Sequence, residues 1–187
     1  MSGAGRLRAF IALVFDASVR ERLARVCDEL RPAFPDARWV GANQLHLTLR
    51  FLGDVDALGL KDLAARLRGP ASGCRAARVA LGPLGMFPPK GAPRVLWLGV
   101  ALSHELLVLQ KVCEREAVAI GLPPEPRAYR PHVTLARWRG RARRRELPEV
   151  DFGRARLDRI VLFESRLAPS GAAHTPLAEY EFQAEVA

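Results

Sequence analysis

The chain has 187 residues, 49% of them hydrophobic, which suits one ordinary domain or two small lobes on a shared core and excludes global disorder. Its formal net charge is +9, nearly all of it from Arg because Lys61, Lys90 and Lys111 are the only lysines, and that balance favours an anionic partner such as a polyphosphate. Three widely spaced cysteines, Cys27, Cys74 and Cys113, exclude a disulfide framework and a thiolate zinc site and fit a reducing, cytoplasmic setting.

Residues 8–15 read as a buried strand. Arg6 and Arg8 ahead of this apolar run mimic a signal peptide, but the run is short, stops at Asp16 and lacks a small-x-small cleavage site. No stretch approaches the ~20 apolar residues of a membrane span. Ser18 is placed to cap a helix through residue 30, with Val19, Leu23, Val26, Cys27 and Leu30 on one face and Pro32 and Pro35 beyond its end. Residues 44–52 alternate as a strand, stopped by Gly53-Asp54. A second helix is expected over 57–67, ended by Gly69-Pro70, then a strand over 78–81. Residues 82–93 are rich in Gly and Pro and read as a loop. A strand over 94–100 follows, then a helix capped by Ser103 and stopped at Gly121. Pro123, Pro124 and Pro126 form a stiff connector to a strand over 129–138. Residues 139–145 form a basic loop, and strands are expected over 157–167 and 178–186. Strand-helix-strand units with surplus strands indicate an α+β fold with mostly antiparallel sheets.

Two of these strands carry near-identical tetrapeptides, His46-Leu47-Thr48-Leu49 and His132-Val133-Thr134-Leu135. Alternation along a strand puts each His and Thr on one face and the apolar residues on the other. The two copies are 86 residues apart. Applying that offset without a gap places Phe10 on Leu96, Val14 on Val100, Leu23 on Leu109 and Val26-Cys27-Asp28 on Val112-Cys113-Glu114. We read this as a duplicated unit, about 8–53 and 94–139, within a single bilobal domain spanning 1–187: two pseudo-symmetric lobes, each a small sheet backed by helices, with a cleft between them.

Two imidazoles facing one cleft suit general acid–base chemistry, because His titrates near neutral pH. Phosphodiester hydrolysis needs a proton taken from water on one side of phosphorus and a proton given to the leaving oxygen on the other. His46 and His132 can share that work without a metal or other cofactor. The hydroxyls of Thr48 and Thr134 can donate to non-bridging phosphate oxygens, and a nearby Arg can clamp them. Symmetry alone does not say which His is the acid.

The paired His-x-Thr-x strands resemble the hallmark of the two-histidine (2H) phosphoesterases, and the chain is similar over nearly its whole length to the RNA 2′,3′-cyclic phosphodiesterases, also called 2′-5′ RNA ligases. The matching residues include Arg8-Ala9-Phe10-Ile11-Ala12, Gln44 to Gly53 around the first motif, Pro93 to Gly99, Tyr129 to Arg137 around the second, Glu164-Ser165 and Tyr180. The resemblance implies hydrolysis of a 2′,3′-cyclic phosphate at an RNA end to a 2′-phosphate, reversible as 2′-5′ ligation. It also implies that His46 protonates the leaving 3′-oxygen, His132 activates water, Thr48 and Thr134 hold the phosphate and Arg137 assists. The expected partner is such an RNA, with no membrane and no metal, and the chain is expected to act as a monomer. Other 2′-linked nucleotides, such as 2′,5′-oligoadenylate, and a non-catalytic RNA-binding module are the alternatives. Retention of two titratable imidazoles argues against a mere binder.

Arg141, Arg143, Arg144 and Arg145 are read as a solvated loop. Phe51, Phe87, Tyr129 and Trp138 are candidates to stack on a base, with packing an equal reading of each. His104 is expected at a helix start, and His174 in a Gly/Ala-rich loop away from function. The four His show no metal-ligand spacing.

Overall fold

The computed structural model describes residues 5–168 and 171–184. In chain order it runs β1 (Leu7–Val14), α1 (Ala17–Leu30), β2 (Arg38–Trp39), β3 (His46–Val55), α2 (Ala57–Gly73), β4 (Ala77–Phe87), β5 (Val95–Ala101), α3 (His104–Ala119), β6 (His132–Arg137), β7 (Arg154–Leu157), β8 (Arg159–Ala168) and β9 (Gly171–Glu181). The strands form one antiparallel sheet in the order β7-β4-β5-β6-β3-β1-β8-β9, with β2 added against β6. The class is α+β, as the sequence indicates.

The order reads the same from either end. At the centre β3 and β6 meet through a single residue pair, Leu47 with Val133. Outside them lie β1 and β5, then β8 and β4, then β9 and β7. The outer strands are exchanged: β4 follows the first His strand but pairs with β5, and β8 follows the second but pairs with β1. The two halves of the sheet are therefore not contiguous in sequence. Helices α2 and α3 pack on each other, α3 against β3 and α2 against β8 and β9. Helix α1 reaches the far edge, where the Arg22 guanidinium donates to the Arg154 carbonyl of β7.

Burial explains the register. Leu47, Leu49, Val133 and Leu135 are buried on the helix-backed face. Each such side chain contributes about 1.5–3 kcal/mol. A one-residue slip would bury His and Thr and expose these four instead, so the core fixes which face is polar.

Several expectations need correction. The ungapped offset of 86 fails in the first strands. Leu13 pairs with Leu47 and Leu98 with Val133, so β1 and β5 correspond at an offset of 85, with Ala12 matching Trp97 and Val14 matching Gly99. The turn that follows is two residues longer in the second half, and there the side chain of Asp16, not Ser18, caps α1 by accepting from Val19 N; its counterpart is Ser103 on α3. Helix α2 runs on through Pro70 to Gly73, held by fully buried Leu67 and Ala71 on either side of the proline. Strand β4 continues through the Gly/Pro stretch to Phe87. Its ladder with β5 shifts register between Leu81 and Leu84, a bulge that accommodates Gly82 at φ +117° and a proline lacking an N–H. The strand read over 157–167 is two strands parted at Asp158. The last strand starts earlier, at Gly171, and residues 185–186 of the expected strand lie outside the described residues.

Candidate active site

The Leu47–Val133 pair sets the geometry of the polar face. In an antiparallel ladder, the residue before Leu47 faces the residue after Val133, so His46 stands across from Thr134 and Thr48 across from His132. All four side chains are on the face opposite the buried leucines and are half-buried. His46 and His132 are thus diagonal neighbours, which in a regular ladder lie about 7–8 Å apart.

Both imidazoles are held alike. His46 Nδ1 is 2.7 Å from the carbonyl of Gln44, and His132 Nδ1 is 2.7 Å from the carbonyl of Arg130. In each case the partner lies two residues upstream in the chain. A carbonyl only accepts, so Nδ1 carries the proton, and Nε2 of both rings makes no hydrogen bond among the described residues.

Aromatic walls fix each ring further. Phe10 stacks on His46 at 4.8 Å between centroids, and Phe163 lies 6.4 Å away. Phe87 meets His132 edge-on at 5.1 Å, with Trp97 at 6.2 Å. Burial is the main influence on His46 and pushes it down to about 4; the Gln44 carbonyl opposes this, while His174, Arg137 and His132 add to it. Burial also holds His132 below its ordinary value, against the Arg130 carbonyl, and Arg137 adds to the lowering.

Matching bulges bring a third side chain to each motif. Ile11 pairs with Arg50 and Ala12 with Thr48, skipping Leu49; Leu96 pairs with Ala136 and Trp97 with Thr134, skipping Leu135. Simple alternation would send Arg137 and Phe51 to the core. The bulges turn them back to the polar face, where both are exposed. The same irregularity turns Arg50 inward. It is 8% exposed and paired with Glu114 at 2.6 Å, and its guanidinium donates to the Pro123 carbonyl at 2.5 Å. The Tyr129 hydroxyl donates to the Thr48 carbonyl at 3.0 Å. Together these bonds tie the proline connector, and so His132, to the first His strand.

The structure brings together all five residues singled out in the sequence: His46, His132, Thr48, Thr134 and Arg137. It corrects the placing of His174 in a loop: the residue sits on β9 with its ring 5.3 Å from that of His46. Nothing local in the sequence signals this, because the contact depends on the exchange that carries β8 and β9 to β1. Among the stacking candidates, Trp138 is buried against Phe34, Tyr129 is committed to Thr48, and Phe87 packs on His132. Phe51 alone of the four is exposed, at 51%. In the basic loop, the Arg144 guanidinium donates to the carbonyls of Gly91 and Pro88, so this arginine is not simply solvated.

Among the described residues, no group of three His, Cys, Asp or Glu side chains is placed to hold a metal ion. No helix among them is long and apolar enough to cross a membrane.

A model of the LigT-like phosphoesterase family matches residues 14–97 and 100–174. An RNA 2′,3′-cyclic phosphodiesterase of Methanothermobacter thermautotrophicus is 32% identical over 179 residues, covering 92% of this chain and 97% of that protein. A crystal structure from Thermus thermophilus is similar at a TM-score of 0.81 and 31% identity, over 96% of this chain and 100% of that one. Escherichia coli LigT, in a crystal structure with 3′-AMP, matches at a TM-score of 0.79 and 27% identity, over 95% of this chain and 98% of that one.

Proposed function

The chain belongs to the LigT-like phosphoesterases of the 2H superfamily, the family of the RNA 2′,3′-cyclic phosphodiesterases, and from that membership we propose that it opens 2′,3′-cyclic phosphates at RNA ends by two-histidine acid–base catalysis. The observation that carries the reading is the pair of imidazoles on one face of the sheet, each with Nδ1 tied to its own chain segment and Nε2 free.

The reaction balances with these groups alone. His132 Nε2 takes a proton from water as the water oxygen bonds to phosphorus. The bond from phosphorus to the 3′-oxygen breaks, and His46 Nε2 hands its proton to that oxygen. The products are a 2′-phosphate and a 3′-hydroxyl. Thr48 and Thr134 donate to the non-bridging oxygens, and Arg137 offsets the charge that develops on them. The assignment of His46 as acid follows the family pattern. The same steps with a 5′-hydroxyl in place of water give 2′-5′ ligation. The free histidines are held largely neutral by burial, and an entering phosphate supplies the negative charge that lets one of them become the imidazolium acid. The related LigT structure with a nucleoside monophosphate supports a nucleotide-sized ligand.

The test is incubation of the protein with an oligoribonucleotide ending in a 2′,3′-cyclic phosphate, with and without EDTA, followed by identification of the hydroxyl that keeps the phosphate. A 2′-phosphate formed at equal rates in both arms is the expected result. A 3′-phosphate, or activity lost to EDTA and restored by a divalent cation, would contradict the proposal.

A further inference from the structure

The polar face continues past the two His-Thr pairs. Along β6, Arg137 pairs with Val95 on one edge and with Arg38 of β2 on the other, which is the edge that β3 meets at Val133. Trp39 pairs with Ala136, and the Val40 N–H donates to the Leu135 carbonyl, so residues 38–40 run beside β6 ahead of His46 and Leu47. Residues directly opposite in an antiparallel ladder point to one face. Arg38 therefore joins Arg137 on the polar face, while Trp39 turns to the other side and packs near Phe34. Like charges set directly opposite repel each other. Nothing in the protein offsets them here: both arginines are exposed, and among the described residues neither guanidinium makes an ion pair or a hydrogen bond. Asp36, two residues before Arg38, lies 3.9 Å from Arg145 instead.

The other half lacks this arrangement. Phe51 stands on the matching bulge where Arg137 stands, and among the described residues no strand pairs with β3 beside it. The proline connector lies at that end, with the Pro123 carbonyl and the Glu125 carboxylate both facing Arg50. The polar face is thus symmetric in its His-Thr pairs, and the paired arginines mark one end of it only. Of the two, Arg137 is the one whose charge bears on both imidazoles and lowers each, so it belongs with the reacting phosphate. Arg38 is left over, beside it and unpartnered.

We propose that Arg38 and Arg137 divide two consecutive phosphates of the substrate, Arg137 taking the cyclic phosphate and Arg38 the phosphodiester on the 5′ side of the same nucleotide. This rests on the diesterase reading and deepens it. Each backbone phosphodiester carries one negative charge, and a guanidinium can hold it through two N–H groups. Two phosphates laid along this end of the face supply the anions that the arginine pair lacks. A contact of this kind positions the strand without reading a base. It favours a polynucleotide end over a nucleoside cyclic phosphate with a free 5′-hydroxyl, because only the polynucleotide brings the second phosphate. Arg38 is in this sense a specificity-determining residue.

The experiment compares kcat/KM for adenosine 2′,3′-cyclic phosphate with that for the same compound carrying a 5′-phosphate methyl ester, so that the base, the ribose and the reacting ring are held constant. In the wild-type protein the added phosphodiester is expected to raise kcat/KM about three- to tenfold through KM, the size of one exposed charge-assisted contact. Arg38→Gln should bring the ratio close to one, Arg38→Glu should bring it below one, and Arg38→Lys should keep most of it. The Arg38 side chain is exposed and anchors nothing among the described residues, so these variants are expected to fold. Equal kcat/KM for the two substrates in the wild type, or a ratio that Arg38→Gln leaves unchanged, overturns the second phosphate contact while the diesterase stands. A parallel loss on both substrates also overturns it, because Arg38 would then act at the reacting phosphate. Absence of wild-type turnover on both substrates removes the diesterase reading, and this contact with it.

Discussion

Leu47 is paired with Val133, and that one pair is where the two halves of the sheet join. The two His-Thr pairs on the face above are placed by it: His46 across from Thr134, Thr48 across from His132, and the two imidazoles on a diagonal. Because both residues of the pair are fully buried, the juxtaposition is held by the core rather than by contacts between the polar groups themselves.

Removing either imidazole is therefore expected to disable the chemistry without disturbing the fold. A positioned general acid or base contributes about 10²–10⁴-fold, so His46→Gln and His132→Gln should each lower single-turnover cleavage of a cyclic-phosphate RNA end by that order. Their melting temperatures should stay near wild type. Near-normal turnover in either variant would mean that two imidazoles do not divide the proton transfers.

The pH dependence follows from the same burial. Both histidines are held below their ordinary value in the free protein, His46 at about 4. A bound phosphate anion favours the protonated form and raises them. The profile of kcat, which reports the complex, should thus be displaced to higher pH than that of kcat/KM, which reports the free enzyme. Stability has its own sign. The unfolded chain takes up protons near the ordinary His value of about 6.5, before the folded one does, so the stabilisation from the neutral rings is present above that pH and is lost as pH falls toward 4. A melting series over this window should show a shallower decline in His46→Gln. An identical decline would show that the His46 proton is not linked to folding.

The sequence carried the polar face and concealed its surroundings. The His-x-Thr-x copies report alternation, which is local, so His46, Thr48, His132 and Thr134 can be placed from four residues each. Arg137 is different. By alternation it belongs to the core, and only family resemblance pointed to it; the bulge at Leu135 that returns it to the face leaves no mark in composition. His174 was hidden for a topological reason, since its contact with His46 exists because β8 and β9 cross to β1. Pattern also failed at β4, where Gly and Pro signalled a loop but the residues sit in a bulged strand whose neighbours bury Leu84 and Met86.

Arg50 gives a separate test of how the site is held. Its guanidinium pairs with Glu114 at 2.6 Å and lies 3.7 Å from Glu125, with its own side chain buried. Removing one partner of such a cluster leaves the others uncompensated, at a cost of about 3–5 kcal/mol when burial is complete. Glu114 and Glu125 keep roughly a quarter of their exposure, so the lower end applies, and Arg50→Met should destabilise by about 3 kcal/mol in urea unfolding. Adding Glu114→Gln should recover part of that loss. If the double variant is no more stable than the single one, the carboxylate left behind is not the source of the cost.

Gly85 is fixed by close approach. It faces Trp97 across the β4–β5 ladder, and a Cβ built on it would run into the indole ring. Trp97 in turn lies 6.2 Å from His132 and 5.1 Å from Phe87, which also packs on that imidazole. Gly85→Ala should push the indole toward His132, at an overpacking cost of about 1–3 kcal/mol. Because the displaced ring bears on His132 and not on His46, the variant should lose kcat while its binding of a nucleoside 2′-phosphate product is affected less. The check is kcat alongside product affinity by calorimetry. Equal losses in both would place the disturbance in the whole half of the sheet rather than at that one imidazole.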